Sequence, residues 1–271
     1  MPPAHTAQQK SAISEFVSVT QSDKTTAAKF LKQANWNVGA AVNSYFNNPN
    51  ATSNPHRSAL SKIFDKYRDD VQHSPDEIGP QGTSTLLNEL NIDLAGVGAV
   101  VFSELVQSPS LGNITRDGFI DGLSDAGVDS LPKIRNLVLQ RQSQLPSDRD
   151  LFKNVYNHTF QLGLQEKQKA LAMDTAMELW RVVLTAPSFE WSTANTPWLD
   201  WWFEYYEGKV KKAVNKDLWK QTLNFAEQSK KDESLSFWNE ESSWPSVIDE
   251  FVEWIKEEKR PGGGGDAMEL S

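Results

Sequence analysis

Apolar residues recur at three- and four-residue intervals along almost the whole chain, the spacing of helices that bury one face. Between residues 11 and 48 three short helices are predicted. Ile13, Phe16, Val17 and Thr20 line the inward face of the first, Ala27, Phe30, Leu31 and Ala34 that of the second, and Val38, Ala41, Val42, Tyr45 and Phe46 that of the third. Asp23 and Asn37 stand where N-caps are needed, and Pro49 ends the last helix. Asn50-Ala51-Thr52-Ser53-Asn54-Pro55 is polar and rich in breakers, which reads as a linker. Helical spacing then returns near 58–68, 83–90, 95–107, 116–126, 131–143, 148–163, 168–184, 198–206, 215–228 and 246–257. Strand character is confined to short pieces around Ile78 and Ile114. The pattern predicts an all-α protein with a small three-helix module over 11–49, a linker over 50–57 and a larger helical domain over 58–260. In the tail 261–271, Pro261-Gly262-Gly263-Gly264-Gly265 cannot hold a fold by itself.

With 271 residues, 38% of them hydrophobic, the chain is long enough for one sizeable core plus a small module. It has no cysteine. Disulfides, thiolate metal sites and any mechanism that carries a modifier as a cysteine thioester are thereby excluded. His5, His56, His73 and His158 lack metal-ligand spacing, so no zinc or other cofactor is expected. Met1-Pro2-Pro3-Ala4-His5 has no apolar signal core, and Pro2 occupies the position where myristoylation needs glycine. No stretch approaches a membrane span, so a soluble intracellular protein is expected, cytoplasmic or nuclear.

Net charge is −9, with no basic patch to neutralise phosphates, which argues against a nucleic-acid partner. The charge is unevenly placed. Asp232 to Glu258 holds nine acids against the single base Lys256, and so carries −8, whereas residues 1–60 hold five bases and two acids. Such an acidic end is usually just a solvated surface, but it also steers basic partners.

Three constellations invite a chemical reading. Two stretches have the helix-loop-helix spacing of calcium-binding hands; with Gln107 at loop position one, Gly112 falls at the sixth position and Ile114 follows. The ligand positions then hold Gln107, Pro109, Leu111 and Gly118, which offer no carboxylates to a hard cation, so the spacing reads as scaffold. The ten tryptophans and general acidity raise a glycosidase reading. Trp198, Trp201, Trp202 and Tyr205 lie at helical spacing, however, and core packing explains them better. No nucleophile stands with a base, and no catalytic residue is assigned.

The third constellation lies near the C-terminus. In WPSVIDEFVEWIKEE (244–258), Val247, Ile248, Phe251, Val252 and Ile255 form one apolar face. Upstream, NKDLWKQTLNF (215–225) begins a helix with Asp217 in its first turn. Asp217 and Asp249 thus both lie near helix N-termini, where a carboxylate is favoured. Spacing alone favours capping roles, with Ser246 and Asp249 as a capping box and Asn215 as the cap of the other helix.

At these residues the chain resembles the defective-in-cullin-neddylation family, in which a ubiquitin-associated-like module precedes a helical potentiating-neddylation domain. The resemblance spans about residues 11–258. It rests on FVSVTQSDKTTAAKFLKQANWNVGAAVNSYFNNP (16–49), FIDGLSDAGVDS (119–130), the segment ending MELWRVVL (177–184), KDLWKQTLNF and WPSVIDEF, in that order. It implies degenerate EF-hand-like helix pairs in the large domain, and two partners for that domain. One is the cullin C-terminal winged-helix region, bound by an Asp, Ala, Asp triplet that falls here on Asp217, Ser243 and Asp249, with serine in place of alanine. The other is the acetylated N-terminus of the neddylation conjugating enzyme, in an apolar pocket at positions matching Val97, Val100, Val101, Ile114, Leu162 and Leu179. Two neighbouring positions, Pro80 and Thr83, depart from the family's pattern.

The small module's resemblance implies ubiquitin or a relative as a further partner, although Val19-Thr20-Gln21 stands where such modules usually carry Met-Gly-Phe or Met-Gly-Tyr. The function implied is a scaffold-type ligase component that promotes cullin neddylation by proximity, without chemistry of its own. A ubiquitin receptor with no direct role in neddylation is the alternative.

Overall fold

A computed structural model of the chain describes residues 6–20, 22, 24–47, 55–165, 167–239 and 241–261. The predicted N-cap Asp23, the stop at Pro49, most of the linker and all but the first residue of the tail lie outside the described residues.

The small module consists of α1 (Ala7–Thr20), α2 (Lys24–Gln33) and α3 (Val38–Phe46). Asn37 caps α3 as its spacing predicts, its side chain accepting from the Ala40 N–H at 2.9 Å. Ile13, Phe16, Ala27, Phe30, Leu31, Ala41 and Tyr45 form a core of their own. Phe16, Phe30 and Tyr45 meet at its centre, with ring centroids 5.4–6.2 Å apart. Phe46 was expected inside but is 57% exposed, because Tyr45 takes the inward position at the end of a nine-residue helix.

The larger core is built from α4 (Pro55–Tyr67), α5 (Pro80–Glu89), α6 (Val97–Leu105), α7 (Arg116–Asp125), α8 (Leu131–Gln144), α9 (Arg149–Gly163), α10 (Met173–Val183), α11 (Trp198–Tyr205), α12 (Lys216–Lys231) and α13 (Ser246–Trp254). α4 begins inside the stretch read as linker, since Pro55 suits a first helical turn. Short π-helical turns extend α11 through Val210 and α13 through Lys259.

Two hand-like units are visible. β1 (Glu77–Ile78) pairs antiparallel with β2 (Ile114–Thr115), joining the loop of α4–α5 to that of α6–α7. β3 (Ala170–Leu171) pairs with β4 (Val214–Asn215) in the same way, between the segments that lead into α10 and α12. This second pair corrects the predicted helix 168–184, which starts only at Met173. Gly112 turns the second hand loop at φ +83°, with Pro80 packed against it and the Thr83 hydroxyl donating to its carbonyl at 2.8 Å. Among the described residues no three His, Asp or Glu side chains meet in a metal-binding group.

The tryptophans are structural. Trp180 stacks on Trp219 at 5.2 Å and 6°, Trp219 stacks on Tyr156 at 4.8 Å, and Trp202 meets Trp180 at 5.5 Å and Phe251 at 5.0 Å. Tyr156 is the polar hub of this stack: its hydroxyl accepts from Trp180 Nε1 at 2.9 Å and donates to the Trp219 carbonyl at 2.8 Å. The Trp219 indole donates back to the Tyr156 carbonyl at 3.0 Å. Burial holds the Tyr156 phenol neutral, its pKa pushed far above the ordinary value. α9, α10 and α12 are thereby locked together, and Phe251 adds α13 to the same core.

Candidate protein-docking surface

α12 sets out from β4, and Asn215 caps it by accepting from the Leu218 N–H at 2.8 Å. Leu218 and Trp219 are buried, which turns Asp217 outward. With the capping role filled by Asn215, Asp217 makes no side-chain hydrogen bond or ion pair among the described residues. It is exposed in the first turn, favoured there by the helix dipole.

Asp249 differs from its expected role. The Ser246–Asp249 capping box is not formed, because Pro245 rather than Ser246 precedes the first helical turn of α13, and no side chain caps that end. Asp249 instead accepts from the indole of Trp238 at 2.9 Å. Trp238 lies 11 residues away on the α12–α13 connection and carries the Lys256 ammonium 4.1 Å from its ring. The carboxylate is thus half-buried and held in place by the connection.

That connection is ordered by its own contacts. Asp232 accepts from the backbone and hydroxyls of Ser234 and Ser236, which holds its carboxyl down at about 2. Trp244 packs on Phe225 and Phe237 at 6.0 and 6.1 Å. Its neighbour Ser243 is exposed. Ser243 and Asp249 therefore flank the start of α13, and Asp217 stands at the start of the neighbouring α12, with no hydrogen bond or ion pair joining it to either among the described residues. Exposed Glu241, Glu250 and Glu253 give the α13 side a negative field.

The six apolar positions matched to the family's pocket fall in one core cluster: Val97, Val100 and Val101 on α6, Ile114 on β2, Leu162 on α9 and Leu179 on α10. All are buried, none more than 7% exposed. Val97 alone among them lines a cavity of about 520 Å³, which runs from Asn91 to Gly98 and is walled by Leu139, Gln142 and Val182. Leu111, 55% exposed, is tied to the end of α9 by its N–H, which donates to the Leu162 carbonyl at 3.2 Å. Sequence reasoning missed Trp238 and Leu111, whose roles depend on partners distant in the chain.

The fold defines a class first: a three-helix ubiquitin-associated-like module followed by a helical domain built on hand-like pairs. A UBA-like domain model matches residues 10–52, and a model described as cullin binding matches residues 133–254, which include Asp217, Ser243 and Asp249. The chain is 39% identical to "Defective in cullin neddylation protein 1" of Pyricularia oryzae over 264 residues, covering 93% of this chain and 94% of that protein. The Yarrowia lipolytica protein of the same name is 33% identical, covering 90% and 96%, and that of Caenorhabditis elegans 26% identical, covering 97% and 96%. The chain belongs to the defective-in-cullin-neddylation family.

Proposed function

We propose that this protein promotes cullin neddylation by binding a cullin through the surface of Asp217, Ser243 and Asp249. The observation that carries the reading is that the cullin-binding match falls on the very helices whose N-termini present these residues. Two carboxylates on a rigid platform, Asp249 lying within the Asp232–Glu258 segment that carries −8, complement a basic surface of the cullin's C-terminal winged-helix region. Serine at position 243 is small and leaves the partner room to approach.

In the same proposal, the acetylated N-terminus of the neddylation conjugating enzyme enters between α6, the second hand loop, α9 and α10, displacing Leu111 to reach Val97, Val100, Val101, Ile114, Leu162 and Leu179. Their close packing means that entry requires the loop to yield. Holding enzyme and cullin together converts an encounter of two bodies into a reaction within one complex, and effective molarity supplies the acceleration. The protein is a scaffold in this mechanism. A chain without cysteine cannot carry the modifier as a thioester, so that group stays on the conjugating enzyme. The small module adds a site for ubiquitin or a relative, at the end where exposed Val19 and Phe46 follow the packed pair Phe16 and Tyr45. Its place of action is the cytoplasm or nucleus.

Reconstituted cullin neddylation, run with and without the protein and with acetylated or unacetylated conjugating enzyme, tests the reading. Acceleration that is greater with the acetylated enzyme is expected. No acceleration with either form refutes it.

A further inference from the structure

Lys256 is the single base of the Asp232–Glu258 segment, and its side chain goes where charge alone would not send it. Exposed Glu253 lies three residues before it, at the spacing of neighbours on a helix surface, and exposed Glu257 follows it. The next two bases are ion-paired, Lys259 to Glu204 at 2.6 Å and Arg260 to Glu233 at 3.9 Å. Lys256 forms no ion pair among the described residues and places its ammonium 4.1 Å from the centre of the Trp238 ring instead. Trp238 is half-buried and Lys256 exposed, so the contact stands at the surface.

The same indole donates to Asp249 Oδ1 at 2.9 Å, while Asp249 Oδ2 has no hydrogen bond among the described residues. Asp249 and Lys256 are seven residues apart, about two helical turns, and so lie along one side of α13 and its extension. Trp238 spans them from the α12–α13 connection, its N–H toward the carboxylate and its ring toward the ammonium. A π face and a half-satisfied carboxylate both attract cations. The ring already holds one, so its setting admits a cation.

We propose that Trp238 and Asp249 together receive a basic side chain of the cullin, and that Lys256 holds this seat in the free protein until the partner displaces it. The inference rests on the reading of Asp249 as part of the cullin surface. Arginine is the side chain that fits best: its planar guanidinium stacks on an indole while its edge donates to a carboxylate, whereas an ammonium is a compact point charge. Lys256 is readily displaced, because an exposed ammonium regains its hydration on leaving and the ring contact it gives up favours the seated state by only about two- to fivefold.

Calorimetric titration of the full chain with the cullin C-terminal region tests this through a double-mutant cycle. Lys256→Gln should bind about two- to fivefold more tightly, since no ring contact has to be broken. Trp238→Leu should bind more weakly than the parent, and in that background most of the gain from Lys256→Gln should vanish. Binding by Lys256→Gln no tighter than the parent's overturns the proposal by itself, and this exposed substitution makes no demand on the folding of any Trp238 variant. An equal gain in both backgrounds also overturns it, because the lysine then acts through general charge alone. Asp217→Ala, titrated alongside, separates the seat from the surface it belongs to. Undiminished binding by Asp217→Ala removes the cullin surface and the seat with it, whereas weakened binding there together with unchanged binding by Trp238→Leu removes the seat alone.

Discussion

Replacing Asp217 and Asp249 separately by alanine should divide recognition from stability in a way set by their different surroundings. Asp217 is exposed, uncommitted and already relieved of capping by Asn215. Its loss removes only a favourable dipole interaction, about 0.3–1 kcal/mol. Asp249 accepts the Trp238 indole at 2.9 Å, and a hydrogen bond to a charged group contributes roughly 1.5–3 kcal/mol. Trp238 is only half-buried, so water replaces part of that bond and the lower end applies, about 1.5 kcal/mol. If both carboxylates pair with cullin cations, each alanine should weaken binding by roughly 2–5 kcal/mol, about 30-fold or more. Asp249→Asn keeps an oxygen for the indole while removing the charge, and should recover most of the stability without the binding. Urea unfolding and calorimetric titration with the cullin C-terminal region measure the two quantities on the same samples. Unchanged cullin affinity in Asp217→Ala would refute the surface. Equal destabilisation by Asp217→Ala and Asp249→Ala would refute the account of their surroundings.

Three further outcomes are expected. Tyr156→Phe leaves the Trp180 indole without an acceptor and the Trp219 carbonyl without the phenol's hydrogen bond, and should cost about 1–3 kcal/mol in urea unfolding; an unchanged midpoint would refute the hub. Asp232 has a folded-state pKa lowered to about 2 from 3.8 by its bonds to Ser234 and Ser236, so its contribution is complete well above pH 3.8 and is lost as pH falls through 2. Asp232→Ala should therefore be less stable than the parent at pH 6, with the gap closing as pH falls through 2, and a gap independent of pH would contradict this. Gly122→Ala places a methyl group onto the Leu105 carbonyl, forcing α6 from α7, and should destabilise by about 1–3 kcal/mol or more; circular-dichroism melts of the variant check it.

Helical periodicity made most of the architecture legible, because each helix buries one continuous stripe. The β1–β2 pair was visible through Ile78 and Ile114, whose side chains are fully buried. The β3–β4 pair was not, since Ala170–Leu171 and Val214–Asn215 are two-residue strands next to helices and leave no period of their own. Asp217 and Asn215 were read in their right local setting, as capping is decided within four residues. Asp249 was misassigned to a capping box because its partner, Trp238, is 11 positions away and no local rule links them. Val97, Val100, Val101, Ile114, Leu162 and Leu179 were legible as buried, because each lies on the inward face of its element.

The Tyr156 hydroxyl has a consequence for variation among relatives. One oxygen atom deep in the protein ties three helices together, so the spacing of the surface groups depends on residues that are themselves fully buried. Frame and recognition are therefore inherited separately. If Asp217, Ser243 and the acidic side chains of α13 meet the cullin as proposed, substitutions there retune which partner is preferred without moving the template that holds them. Conversely, a change at Tyr156, Trp180 or Trp219 would blur every preference at once, whatever the surface residues were.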